Sequence, residues 1–305
     1  MKHKAVPTYL QHSKLIKSAI LLSIATASVI LAIKIYGWIT TSSVALFASL
    51  LDSMLDISSS LINMVAVRIM LLPPDDNHRF GHNKVQDLAI FSQSIFFFCS
   101  AIFTLFSAIN KLFNFHEVSH HNVGINVMIV SSVCIFMLVC YQNYVYKKTQ
   151  SYIVAVDKFH NFVDLLTNLS VIISLKVSVN FWFIDLVFAI LISVYLLYGC
   201  IKLFRKALKN LLDQEFDKTE KQKILNIIRQ NTQVLGVHEL KTRYAGNKPF
   251  IQCHLEVDGN MTLLQAHEIA DDISAKIEEE FPGCEVLIHQ DPAGYEQCVM
   301  YQEKI

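Results

Sequence analysis

Apolar residues in the first two thirds of the chain gather into six blocks, with polar residues confined to the gaps and to a few positions inside the blocks. A helix needs ~20 mostly apolar residues to cross hydrocarbon, so the blocks at 15–38, 43–71, 86–113, 122–146, 152–175 and 182–203 predict six membrane-spanning helices. The first follows Lys2, Lys4, Lys14 and Lys17 as a signal peptide would. No small-residue cleavage site follows it and five further blocks do, which predicts a retained helix.

After Leu212 the pattern changes to segments of soluble length. Residues 217–230 read as an amphipathic helix with an acidic start, and 237–244 as a strand. In 250–257, Ile251, Cys253, Leu255 and Val257 alternate with Gln252, His254 and Glu256, the period-two pattern of a half-buried strand. Residues 262–280 read as a second helix, stopped by Pro282 and Gly283, and 284–289 as a third strand, while Gly246 and Asn247 suit a hairpin turn. The fold class is therefore an α-helical membrane protein: a six-helix transmembrane domain over 1–212, then a small cytoplasmic α/β domain of order αββαβ over 213–305, its helices on one side of a sheet.

With 53% hydrophobic and 17% charged residues, the 305-residue chain is too apolar for an ordinary soluble protein and too charged at its end for a purely intramembrane one. A formal net charge of +0 and basic residues placed beside the apolar blocks, not on one face, exclude a nucleic-acid partner. Arg68, Arg79, Lys84, Lys147, Lys148, Lys158, Lys202, Arg205, Lys206 and Lys209 fall in alternate connections, and only Lys34, Lys111 and Lys176 in the others, which predicts that both termini face the cytoplasm. The seven cysteines are odd in number and show no CxxC spacing, and several lie in apolar blocks, so no disulfide framework is expected. Cys253 and Cys284 in the polar tail imply a reducing compartment there.

Chemistry concentrates at a few polar positions. Asp52 and Asp56 stand four residues apart in the second block, and His160 and Asp164 repeat the spacing in the fifth, so each pair projects from one helix face. A carboxylate in hydrocarbon costs several kcal/mol unless compensated, and no basic residue is expected nearby, so the simplest partner is a divalent cation. Three carboxylates and one imidazole suit tetrahedral Zn²⁺, and by similar logic Cd²⁺. Asp157 lies near the same face but beside Lys158, where a boundary ion pair is expected. In the connection after the second block, Asp75, His78 and His82 have metal-ligand spacing, with Asp76 a rival to Asp75. In the tail, His289 and Asp291 are two apart near a strand end, and His254 is on the polar side of its strand. His116, His120 and His121 are expected to be solvated.

The strings LLDSMLDISSSLINMVAVR, PPDDNHRFGHNK and DKFHNFVDLLTN, with VHELKTR, FIQCHLE, QAHEIADD and VLIHQDP in the tail, resemble the cation diffusion facilitator family, in particular its bacterial ferrous-iron and zinc efflux members. The resemblance implies a homodimer in the bacterial inner membrane, a metallochaperone-like cytoplasmic domain, and export of Zn²⁺, Cd²⁺ or Fe²⁺ by exchange with protons, making the protein a secondary transporter and not an enzyme. It implies a transport site at Asp52, Asp56, His160 and Asp164, a loop site at Asp75, His78 and His82, and a structural or regulatory zinc site at His238, His254, His267, His289 and Asp291, with Gln290 at its edge. It also implies an interlock of Lys84 with Asp213 at the dimer contact.

Overall fold

The computed structural model describes residues 11–41, 44–113, 122–177 and 183–294; His116, His120 and His121 lie outside them. Six long helices come first: α1 (Ser13–Thr41), α2 (Val44–Met70), α3 (Lys84–Phe113), α4 (Asn122–Thr149), α5 (Tyr152–Val177) and α6 (Phe183–Leu211). Residues 12–208 form one compact unit and a second begins at Lys209. Helix α1 packs on α2 and α4, α5 on α4, and α3 on α2. Ile90 and Phe97 of α3, Val156 and Val163 of α5, and Leu196 and Cys200 of α6 share one buried cluster.

Outside these seams the helices are apolar all round: Phe103 is 70% exposed and Phe106 67%. Such a surface is stable only against hydrocarbon. Five of the described helices are long and apolar enough to cross a membrane. Helix α5 carries Asp157, Lys158, His160, Asn161, Asp164 and Asn168 and is not among those five. Helix α6 runs to Leu211, past the apolar block expected to end at 203, because Lys202, Arg205, Lys206 and Lys209 are good helix formers. Lys206 Nζ lies 3.7 Å over the Tyr152 ring.

In the second unit, α7 (Lys218–Arg229), β1 (Gly236–Ala245), β2 (Lys248–Val257), α8 (Leu263–Glu280) and β3 (Glu285–Pro292) follow in the expected order. The Asp217 N–H donates to Glu220, three residues on, at the start of α7. At the start of α8, Thr262 Oγ1 accepts from the Gln265 N–H while Gln265 Oε1 accepts from the Thr262 N–H, a reciprocal cap. The sheet order is β1-β2-β3, antiparallel then parallel. Ile251, Cys253, Leu255 and Val257 turn one face of β2 into the core with Ile224 and Ile228 of α7 and Ile269, Ile273 and Ile277 of α8. The other face carries Gln252, His254 and Glu256. Strand β3 continues past His289 to Pro292, because Glu256 and Val257 pair with Asp291 and Pro292; this holds Asp291 in regular strand.

Candidate metal centres

Helices α2 and α5 bring three of the four expected intramembrane groups together. His160 Nε2 lies 2.9 Å from Asp56 Oδ1 and 3.3 Å from Asp164 Oδ2, and a ligand atom from each falls within 4.8 Å of the others. Phe97 of α3 stacks on the imidazole, centroids 4.2 Å apart and planes 10° from parallel, which fixes the ring plane. His160 Nδ1 is buried without a hydrogen-bond partner among the described residues. Asp52, one turn earlier on α2, is exposed and outside this group.

Two sequence expectations for this region need correction. A basic residue does lie close: Lys34 of α1 donates to Ser53 Oγ at 2.7 Å, next to Asp52, and is near enough to interact electrostatically with Asp56, Asp164 and Asp52. Lys34 is expected in a connection, and the structure places it within α1. Asp157 forms no boundary pair with Lys158, which instead donates to Asn143 and covers the Tyr146 ring. Its carboxylate is 3% exposed and accepts from Ser23 of α1 at 2.5 Å, Asn63 of α2 at 3.2 Å and Gln142 of α4 at 2.7 Å. Asn161, one turn on, donates to Gln142 Oε1. A second polar layer thus crosses four helices beside the acid–imidazole cluster. Its sequence signal was a set of uncharged polar residues inside apolar blocks.

In the α2–α3 connection, Asp75 Oδ1 accepts the backbone N–H of Asn77 and of His78, at 3.0 and 2.6 Å. His78 Nδ1 is 3.1 Å from Asp75 Oδ1 and His82 Nε2 is 3.3 Å from Asp75 Oδ2. Gly81, at φ +84°, makes the turn that returns the chain from His78 to His82. Asp76 faces away and pairs with Arg79 at 2.7 Å, so Asp75 is the acid that faces both histidines. The His78 backbone N–H is the first cause holding the Asp75 carboxyl below the usual carboxylate range.

The tail cluster follows from strand register. His238 of β1 is opposite His254 of β2, which is opposite His289 of β3, and Glu256 is opposite Asp291 in the next row. Asp291 Oδ2 lies 2.9 Å from His254 Nδ1 and 3.3 Å from His238 Nε2, and its Oδ1 3.2 Å from His289 Nε2. This carboxylate is 5% exposed and meets three imidazoles. Buried His238 Nε2 makes no hydrogen bond, as expected where a metal would take the lone pair, so carboxylate and imidazole here fit zinc. A bulge between His238 and Lys241, with Glu239 at φ +52°, re-aims His238.

Glu256, expected only as a polar position of its strand and not as part of a site, faces His238 Nδ1 at 3.1 Å. A Cβ at Gly236 would lie 2.5 Å from that carboxylate, so the glycine makes its room. His267 stands apart on α8, 62% exposed, with Asp271 3.8 Å away. Cys253 and Cys284 are packed in the apolar core, and burial pushes the Cys253 thiol up to about 12. Asp213 pairs with Arg243 at 3.1 Å.

Comparison with known proteins covers nearly the whole chain. The family described as cation efflux transmembrane domain matches residues 20–212, and that described as cation efflux protein, cytoplasmic domain, matches 216–293. Protein p34 of Rickettsia rickettsii (strain Sheila Smith) is 52% identical over 293 residues, 96% of this chain and 97% of its own length. The cation-efflux pump FieF of Salmonella newport (strain SL254) is 39% identical over 282 residues, 92% of this chain and 94% of its own. The metal-bound C-terminal domain of the CzcD transporter from Thermotoga maritima is similar over 27% of this chain and 100% of its own, at 28% identity and a TM-score of 0.26.

Proposed function

Because the chain belongs to the cation diffusion facilitator family of cation efflux transporters, we propose that it exports Zn²⁺ from the cytoplasm in exchange for protons, and carries Cd²⁺ and Fe²⁺ by the same route. Family membership makes it an integral membrane transporter of divalent metal cations and not an enzyme. The finer reading is supported by one observation above the others: Asp56, His160 and Asp164 converge inside the helix unit.

Two carboxylates and an imidazole so close together need a shared cation or protons, and their donor set suits zinc better than magnesium or calcium, which prefer all-oxygen shells. Asp52, one turn from Asp56, would supply the fourth ligand. Imidazole binds metal only when neutral, so protons and metal compete for His160 and the acids; exchange follows if the site opens alternately to each side. Lys34 of α1 stands beside Ser53, next to these acids.

Asp75, His78 and His82 would form a second site at the head of α3. In the tail, His238, His254 and Asp291, with His289 beside them and His267 brought in on dimerisation, would hold a structural or regulatory zinc. That ion would supply a charge that ties β1, β2 and β3 together. In this reading the protein is a homodimer of the bacterial inner membrane with both termini cytoplasmic, divided into a transport domain over 1–212 and a metal-binding domain over 213–305.

The test is flux into proteoliposomes across an imposed pH gradient, with Zn²⁺, Cd²⁺, Fe²⁺ and Mn²⁺ in competition. Zinc and cadmium should move with counterflow of protons, and iron more slowly. Zinc movement indifferent to the gradient would exclude exchange.

A further inference from the structure

A cleft of about 260 Å³ opens between α1 and α2, lined by Lys17, Ile20, Leu21, Met64, Val67 and Arg68. Lys17 lies in the second turn of α1 and Arg68 in the last turn of α2. Both charges therefore stand at one end of two packed helices, where apolar span gives way to polar chain. Ile20 and Val67, each 2% exposed, form the floor, and Leu21, 54% exposed, forms a rim. Neither Lys17 nor Arg68 has a hydrogen bond, ion pair or ring contact with any described side chain, and no acidic residue lines the cleft.

We propose that this cleft is a binding site for one anionic phospholipid, its phosphate held between Lys17 and Arg68 and its acyl chain laid along Ile20, Leu21 and Met64. Charge complementarity selects the headgroup: two cations at a membrane interface with no partner among the described side chains attract a phosphate monoanion. The apolar floor selects a lipid over free phosphate, since a hydrated ion gains nothing against isoleucine and leucine, whereas an acyl chain continues into the bilayer along the groove that begins at the charges. Guanidinium and ammonium can reach the headgroup while their stems cover the apolar wall. Each basic residue near the surface contributes about 1 kcal/mol, so the pair predicts about a thirty-fold preference for anionic over zwitterionic lipid. The site is independent of the transport reading and needs only that the chain spans a membrane.

The experiment uses full-length protein in mixed micelles of neutral detergent with equal amounts of phosphatidylglycerol and phosphatidylcholine, and native mass spectrometry counts the lipid retained per chain. The expected result is one phosphatidylglycerol per chain at about thirty-fold preference, undisturbed by excess inorganic phosphate and lost in the K17Q/R68Q protein. The K147Q/K148Q protein, which removes two exposed basic residues from the end of α4, should keep the preference. Should the K17Q/R68Q protein fail to fold, K17Q and R68Q singly should each cut the preference to about five-fold. Full preference in the folded double variant, equal loss in the α4 control, or displacement by inorganic phosphate would each overturn the proposal.

Discussion

Replacing Asp157 by alanine and by asparagine separates two roles of a buried carboxylate. Its Oδ2 accepts from Ser23 Oγ and Gln142 Nε2, and its Oδ1 from Asn63 Nδ2. Alanine removes all three bonds; at about 0.6 to 1.7 kcal/mol for each interhelical hydrogen bond in a membrane, the loss sums to about 2–5 kcal/mol. Asparagine has the same shape. With its oxygen in place of Oδ2 it keeps Ser23 and Gln142, and its amide then faces Asn63. Asn63 Oδ1 has no hydrogen-bond partner among the described residues, so rotating that amide supplies the missing acceptor, and Asp157→Asn should cost below about 1 kcal/mol. Reversible unfolding of the purified, metal-free proteins in detergent mixtures, followed by circular dichroism, measures both. Alanine within about 1 kcal/mol of the parent, or asparagine as damaging as alanine, would refute the network as the reason Asp157 is buried there.

Three further outcomes are expected. In full-length protein, zinc at about one hundred times its dissociation constant should stabilise the tail by about 2.7 kcal/mol, raising its melting by roughly 10–20 °C in calorimetry; a chelator should reverse this and Asp291→Ala should abolish most of it. Asp75→Ala should weaken cadmium binding by the α2–α3 loop about tenfold or more in isothermal titration, while Asp76→Ala, which loses only the Arg79 pair, should leave it nearly unchanged. Because burial raises the Cys253 thiol to about 12, the folded tail holds that proton more tightly than the unfolded chain. The resulting stability is complete below about pH 8.5 and declines as the pH rises above it. Alkylation of Cys253 at pH 8 should await unfolding, and prompt labelling of the native protein, read by mass spectrometry, would contradict this.

Helix positions and the αββαβ order were legible because both are set by periodicity: six apolar blocks, and a strand in which Cys253 and His254 point opposite ways. The His160–Asp164 turn was legible for the same reason, since it needs only regular helix to form, whereas the separation of Asp52 from the group that Asp56 joins depended on packing. What depended on packing was not. Asp157 beside Lys158 looked like a surface pair until α1, α2 and α4 supplied Ser23, Asn63 and Gln142. Lys34 looked like part of the connection after the first block, and only the packing of α1 on α2 puts it beside Ser53 and the acids. Glu256 became a neighbour of His238 only through strand register and the room left by Gly236. The choice between Asp75 and Asp76 depended on which carboxylate caught the backbone N–H groups of Asn77 and His78.

In the proposed transport reading, Asp56, His160 and Asp164 hold the ion that crosses. Zinc flux into proteoliposomes should be measured for Asp164→Asn beside the parent protein, with zinc stabilisation of the tail as the check on folding. Flux reduced by about a hundredfold or more, with the tail response intact, is the predicted result, since one of three converging ligands is lost. Flux within about twofold of the parent would show that Asp164 does not hold the transported ion.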